Sequence, residues 1–365
     1  MLYTYVDIDH PIKQLQDNIC YYFERLFAVE PVPYDINIVL QADFITLIDS
    51  SNKFKDYLKD IAEKYIVLPN GEKDIVKKAY SNHLNIENLC NDTTIEVLKY
   101  TDIVNEDFRM LLKEFLTWLW DKYDDLPQAL RNEYKDVQDH FNEFKKVQKG
   151  KVCPFCGISS LKPKTDRKRR NAYDHYIPKA KYPFVSINFK NLFPACHDCN
   201  SDEKKEYDTP LKNSIRQKVI FPFDNAYSID ELSISIAPEE TFNSVNLGTL
   251  LNDIDWKILF TLANGNIDCY YVWDDIFKIK TRYKEYILDF EDTWFSDFVL
   301  KKFNENVVTD VLSFEKYKSG LLNDSKSLMI KDPLAILKYI YFSFIFALPD
   351  IENKLLQVSN FSLGT

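Results

Sequence analysis

The chain has 365 residues, 45% hydrophobic and 15% aromatic, enough apolar material for two or three cores, and its 7 glycines and 15 prolines exclude a disordered polymer. A net charge of −10 argues at first against a nucleic-acid partner. The start of the chain lacks the basic flank and apolar run of a signal peptide, and three of the seven cysteines (Cys20, Cys90, Cys269) show no pairing pattern, so a reducing, cytoplasmic setting is expected.

Residues 1–150 are expected to form a helical N-terminal domain. "FRMLLKEFLTWLWDKY" (108–123) repeats apolar residues at three- and four-residue spacing. "PQALRNEYKDVQDHFNEFKKVQKG" (127–150) opens with a proline and closes on lysines and Gly150, which predicts one helix with start and stop signals. Residues 151–224 differ in composition. Between Lys149 and Ile220 stand 16 Lys/Arg and 7 Asp/Glu, a local charge of +9 against −19 for the remainder. One basic island in an acidic protein is the footprint of a local polyanion site. Its densest part, "KPKTDRKRR" (162–170), carries six basic residues in nine, and Arg167, Lys168, Arg169 and Arg170 are expected phosphate contacts. A solvated loop is the plain alternative for any such run.

Two Cys-x-x-Cys pairs, Cys153/Cys156 and Cys196/Cys199, bracket 39 residues. Four thiolates in two tight knuckles suit a closed, tetrahedral, structural Zn2+ site. Between the knuckles, "AYDHYIP" predicts a short strand ending at Pro178, "NLFPAC" a second strand, and "HDCNSDEKKEY" the start of a helix. Asp174 offers a hard oxygen to a divalent cation. In a regular strand His175 would face the other way, so the strand has to end or bend there. Beyond residue 224 a mainly helical C-terminal domain (225–365) is expected, with a strand at "LSISIA" (232–237) and a long helical pattern over 277–303. "LAILKYIYFSFIFAL" (334–348) is too short for a bilayer span and predicts a buried helix, and no membrane association is expected.

Asp174-His175, Asn191 and Asn200, set between four zinc-type cysteines, resemble the HNH (ββα-metal) endonucleases in their four-cysteine branch. The nine-residue step from Asn191 to Asn200 is similar to that of CRISPR effector HNH domains, which also end on Asn. "DHYIPKAKYPF", "NLFPACHDCN" and "FPFD" resemble an HNH group of bacterial antiphage defence often found beside an ATPase. The resemblance covers about 75 residues and implies a mainly α (α+β) chain carrying one ββα-metal module. It implies His175 as general base, Asp174 and Asn200 as ligands of a catalytic Mg2+ or Mn2+, and Asn191 as the side chain that fixes the loop holding His175. Lys204, one turn on, would contact the DNA backbone. DNA is the implied substrate and any ATPase would be a separate subunit, because no GxxxxGK[ST] occurs in the chain. Two other Asp-His dipeptides, Asp9-His10 and Asp139-His140, lack the downstream Asn and Cys-x-x-Cys and are expected to pack rather than react. A zinc-stabilised nucleic-acid-binding protein or scaffold subunit with an inert Asp-His pair is the rival.

Overall fold

The fold comes from a computed structural model, which describes all residues except 163–170, 226, 228–230, 240–245, 263–266, 307, 309 and 364–365. The first 150 residues are helical, as their periodicity requires. Helices Asn52–Ile66 and Glu106–Asp121 start where Ser51 and Asn105 accept hydrogen bonds from the third backbone N–H onward, Phe54 and Phe108. Their apolar stripes (Phe54, Leu58, Ile61; Phe108, Leu112, Phe115, Leu119) meet Tyr22 and Phe23 of helix Lys13–Val29 in one core. The single helix expected over 127–150 is two, Gln128–Tyr134 and Val137–Val147. Lys135 adopts φ 65°, a left-handed conformation that ends the first helix, and Asp136 then caps the second by accepting from the Asp139 N–H at 2.7 Å.

In the middle segment, β1 (Tyr173–His175) and β2 (Leu192–Pro194) pair antiparallel, with Tyr173 opposite Pro194, Asp174 opposite Phe193 and His175 opposite Leu192. The seven-residue helical segment Asp198–Lys204 follows directly. A minimal hairpin joins β3 (Leu211–Lys212) to β4 (Ile215–Arg216). In the C-terminal region β5 (Leu232–Pro238) covers the predicted strand and pairs antiparallel with β6 (Trp256–Leu262). Both bury alternate residues: Leu232, Ile234 and Ile236 on one, Trp256, Ile258 and Phe260 on the other. Helices Ile279–Trp294 and Ala335–Phe346 pack on this ribbon, Asp268–Phe277 reaches it through Trp273 stacked on Phe260, and Val311–Leu328 packs on Ala335–Phe346. Ala335–Phe346 is the apolar 334–348 stretch, buried on nearly every face. Among the described residues no helix is long and apolar enough to cross a membrane.

Among the described residues the apolar side chains form two cores, and the middle segment divides itself between them. Tyr173, Phe184, Ile187, Phe189 and Leu192 join the N-terminal core. Phe155, Tyr176, Phe193, Val219 and Phe221, with all four predicted zinc cysteines, join the C-terminal one. Strand alternation explains the division at β2, where Leu192 and Phe193 necessarily face opposite ways.

Candidate functional site

The four-cysteine centre is built from two turns. In the first, the Cys153 N–H donates to the Ser159 carbonyl at 2.7 Å and the Gly157 N–H to the Cys153 carbonyl at 2.8 Å. Gly157 sits at φ 70°, and a Cβ there would lie 2.4 Å from the Leu2 side chain, so the turn admits glycine alone without rearrangement. In the second turn the Asn200 N–H returns to the Cys196 carbonyl at 3.0 Å. All four cysteines are buried and their Sγ atoms lie within 4.8 Å of one another, with Cys156 and Cys196 at 3.7 Å. Burial pushes the Cys153 and Cys199 thiols well above their ordinary value. Four buried soft donors converging on one point fit a structural metal such as zinc.

Asp174 and His175 stand at the end of β1, which stops at His175, short of the expected Pro178, and their side chains are engaged on different sides. Asp174 is 4% exposed. Its Oδ1 accepts from Lys204 Nζ at 3.0 Å, while Oδ2 is buried with no hydrogen-bond partner among the described residues. Burial raises the Asp174 carboxyl above its ordinary range despite the opposing Lys204 ammonium. His175 Nε2 lies 2.8 Å from the Ser186 carbonyl. A carbonyl only accepts, so Nε2 carries the proton and Nδ1 keeps the lone pair. Burial lowers the imidazole to about 3, with Lys179 and Lys204 pushing the same way, so the ring is neutral at physiological pH.

The ring is held from the N-terminal core. Trp120 meets it edge-on at 5.3 Å, and Ser186 Oγ donates at 2.6 Å to the Leu116 carbonyl, one turn earlier on the same helix. Lys179 Nζ pairs with Asp121, the last residue of that helix. Asn191 is fully buried: its Oδ1 accepts from the Ile177 N–H at 2.7 Å, and its Nδ2 donates to the Ile177 and Val185 carbonyls at 2.9 and 3.1 Å. It thus staples both ends of the loop that leaves His175.

Asn200 sits half-buried in Asp198–Lys204, four residues before Lys204, and its amide makes no hydrogen bond among the described residues. Lys204, expected as a surface contact to DNA, is 2% exposed, its Nζ shared between Asp174 and the His175 carbonyl at 2.8 Å. A buried ammonium needs acceptors, and the strand end supplies both. Arg167, Lys168, Arg169 and Arg170 lie outside the described residues. His10 and His140 pack against each other at 5.2 Å, and His140 Nδ1 meets the Tyr173 hydroxyl at 2.5 Å. Ser186, Trp120 and Lys204's inward turn carry no sequence signal, since each depends on a partner that the fold brings from far along the chain: Leu116 for Ser186, His175 for Trp120 and Asp174 for Lys204.

No family profile matches the chain, and no solved structure matches it. The curated protein ea31 of Escherichia phage lambda is 36% identical over 75 residues, which make up 20% of this chain and 22% of that protein. The likeness therefore spans about a fifth of either molecule.

Proposed function

We propose that this protein is a metal-dependent HNH-type endonuclease that hydrolyses phosphodiester bonds in DNA, serving in the bacterial cytoplasm as the nuclease of a defence system beside a separate ATPase subunit. The observation that carries the reading is the state of His175: a neutral imidazole, Nε2 fixed on the Ser186 carbonyl, Nδ1 bearing a lone pair. That is what a general base requires. The basic island supports a polyanionic substrate, and the likeness to a phage protein is in keeping with a prokaryotic setting.

In this mechanism His175 Nδ1 takes a proton from water, the water oxygen attacks phosphorus, and the P–O3′ bond breaks, its electron pair leaving on the 3′-oxygen, which solvent protonates. Asn191 and Ser186 keep the ring from turning. The negative phosphate arriving beside His175 raises the basicity of the imidazole. Asp174 and Asn200 would hold a Mg2+ or Mn2+; what supports this is that Asp174 Oδ2 is a buried acceptor without a donor among the described residues. Held there, such an ion supplies charge neutralisation at the phosphate and the leaving oxygen. Lys204, already beside Asp174, keeps that carboxylate aligned.

The test is cleavage of supercoiled plasmid in Mg2+ or Mn2+ by wild type and by His175→Ala. Cleavage should disappear in the variant while its fold and metal content persist. Near-wild-type cutting by purified His175→Ala would overturn the assignment. The Lys204–Asp174 pair favours one second reading, a zinc-stabilised nucleic-acid-binding or scaffold subunit, because an ammonium already neutralises the expected metal ligand. Wild type that binds DNA but cuts it in no divalent ion would establish that reading instead.

A further inference from the structure

We infer that Arg282, from the C-terminal region, is the counter-cation of the four-cysteine centre and couples metal occupancy there to the helical segment carrying Asn200 and Lys204. The inference rests on the reading of that centre as a zinc site and is independent of nuclease activity.

Arg282 lies in the first turn of helix Ile279–Trp294, and its side chain is only 7% exposed. Nη1 points at Cys199 Sγ at 3.3 Å and also at the Phe277 carbonyl at 3.3 Å. The carboxylates nearby are looser. Asp198 lies 3.5 Å from Nη2 and Glu203 lies 3.8 Å from Nε, while Nη2 makes no hydrogen bond among the described residues. A guanidinium cannot shed its proton, so its burial requires negative charge close by. A neutral thiol is a weak acceptor and supplies none. Four thiolates around one Zn2+ carry a net double negative charge, which a buried guanidinium on Cys199 offsets.

The same pair of C-terminal helices grips the first knuckle. Tyr283 Oη donates to the Cys156 carbonyl at 2.8 Å, and Trp273 Nε1 donates to the Phe155 carbonyl at 2.9 Å. Both knuckles are therefore held by side chains more than 80 residues downstream. Asp198 and Glu203 flank Asn200 and precede Lys204, so the guanidinium that faces the sulfurs also spans the segment bearing those two residues. Loss of the metal, with protonation of the four thiolates from solvent, removes the negative charge that Arg282 answers and loosens this segment along with the knuckle.

The experiment uses the full-length zinc-loaded protein and follows zinc transfer to a chromogenic chelator, 4-(2-pyridylazo)resorcinol, with hydrogen exchange of residues 198–204 measured in parallel. Arg282→Met keeps the stem as far as the position of Nε and removes the charge together with the Nη contacts. It should release zinc about 10- to 100-fold faster, the range for lost outer-sphere partners, and should exchange faster over 198–204. Arg282→Lys should fall between it and wild type. A folded Arg282→Met that keeps wild-type zinc release overturns the inference while the zinc reading stands. Wild type purified without zinc overturns both. If Arg282→Met does not fold, Co2+-loaded wild type and Arg282→Lys are compared by their sulfur-to-cobalt charge-transfer absorption. A shifted band supports the guanidinium–thiolate contact and an identical band overturns it.

Discussion

Lys204→Met tests whether the buried pair with Asp174 is what holds the end of β1. The methionine keeps most of the apolar stem but removes the ammonium, leaving a carboxylate whose side chain is 5% exposed without its counter-charge. It also strips the His175 carbonyl of a 2.8 Å donor. Removing one member of a buried pair costs about 3–5 kcal/mol, a large part of the 5–15 kcal/mol typical of folding. The loss should vary with pH in a defined direction. Asp174 already has a raised folded pKa, because burial outweighs Lys204, so the native state binds a proton more tightly than the unfolded chain. Stability from this group is therefore greatest at low pH and falls as pH rises through the folded value. Without Lys204 that value climbs further, and the deficit of the variant against wild type should shrink on acidification from pH 7 towards pH 5. Urea titrations at both pH values, compared at equal m, measure it. The double variant Lys204→Met/Asp174→Asn should recover most of the loss. A single-variant deficit below about 1 kcal/mol at pH 7, or one that widens on acidification, would mean that the Lys204–Asp174 pair does not hold the end of β1.

Because burial holds His175 at about 3, the pH profile of cleavage should show no histidine inflection near 6.5, and plasmid-nicking rates from pH 5 to 8 will reveal one if it exists. The depressed value also means that the unfolded chain takes the proton first, so stability should be lost as pH falls from about 6.5 towards 3, and His175→Ala should flatten that slope in thermal melts. Cys199→Ser should abolish zinc retention and cooperative unfolding together, as elemental analysis and circular dichroism will show. Glu291 is fully buried, accepts from the Leu251 N–H and the Asn252 amide, and burial raises it to about 7. Its native state therefore binds the proton more tightly between about 4.5 and 7, and stability falls as pH rises across that window. Glu291→Gln should remove the dependence, giving a higher melting temperature than wild type at pH 8.

Local patterns announced most of the elements. Strand β5 lies where alternation in "LSISIA" put it, helix Ala335–Phe346 where a continuous apolar run did, and the cysteines converge as their spacing required. The partner of β5, β6, alternates less cleanly in "WKILFTL", where Leu259 sits between the buried Ile258 and Phe260. The break at Lys135 was hidden because a left-handed lysine has no compositional mark, and the periodicity on either side continues through it. The site was legible only as a set of chemically distinctive residues. Serine, tryptophan, lysine and arginine are common, and Ser186, Trp120, Lys204 and Arg282 become informative only once distant helices have been brought against β1 and the knuckles. Their roles are written in tertiary contacts, not in spacing.

Because Leu192 and Phe193 belong to different cores, the middle segment behaves like the keystone of an arch rather than like a cassette. A fragment spanning 151–224 would present to water the side chains that now reach both ways, and it has no third interior in which to hide them. The same arrangement gives the molecule leverage. Any partner that shifts helix Glu106–Asp121 by a fraction of a turn moves Trp120 and the Leu116 carbonyl, and with them the imidazole of His175. The setting of His175 thus depends on a helix that lies outside the central segment.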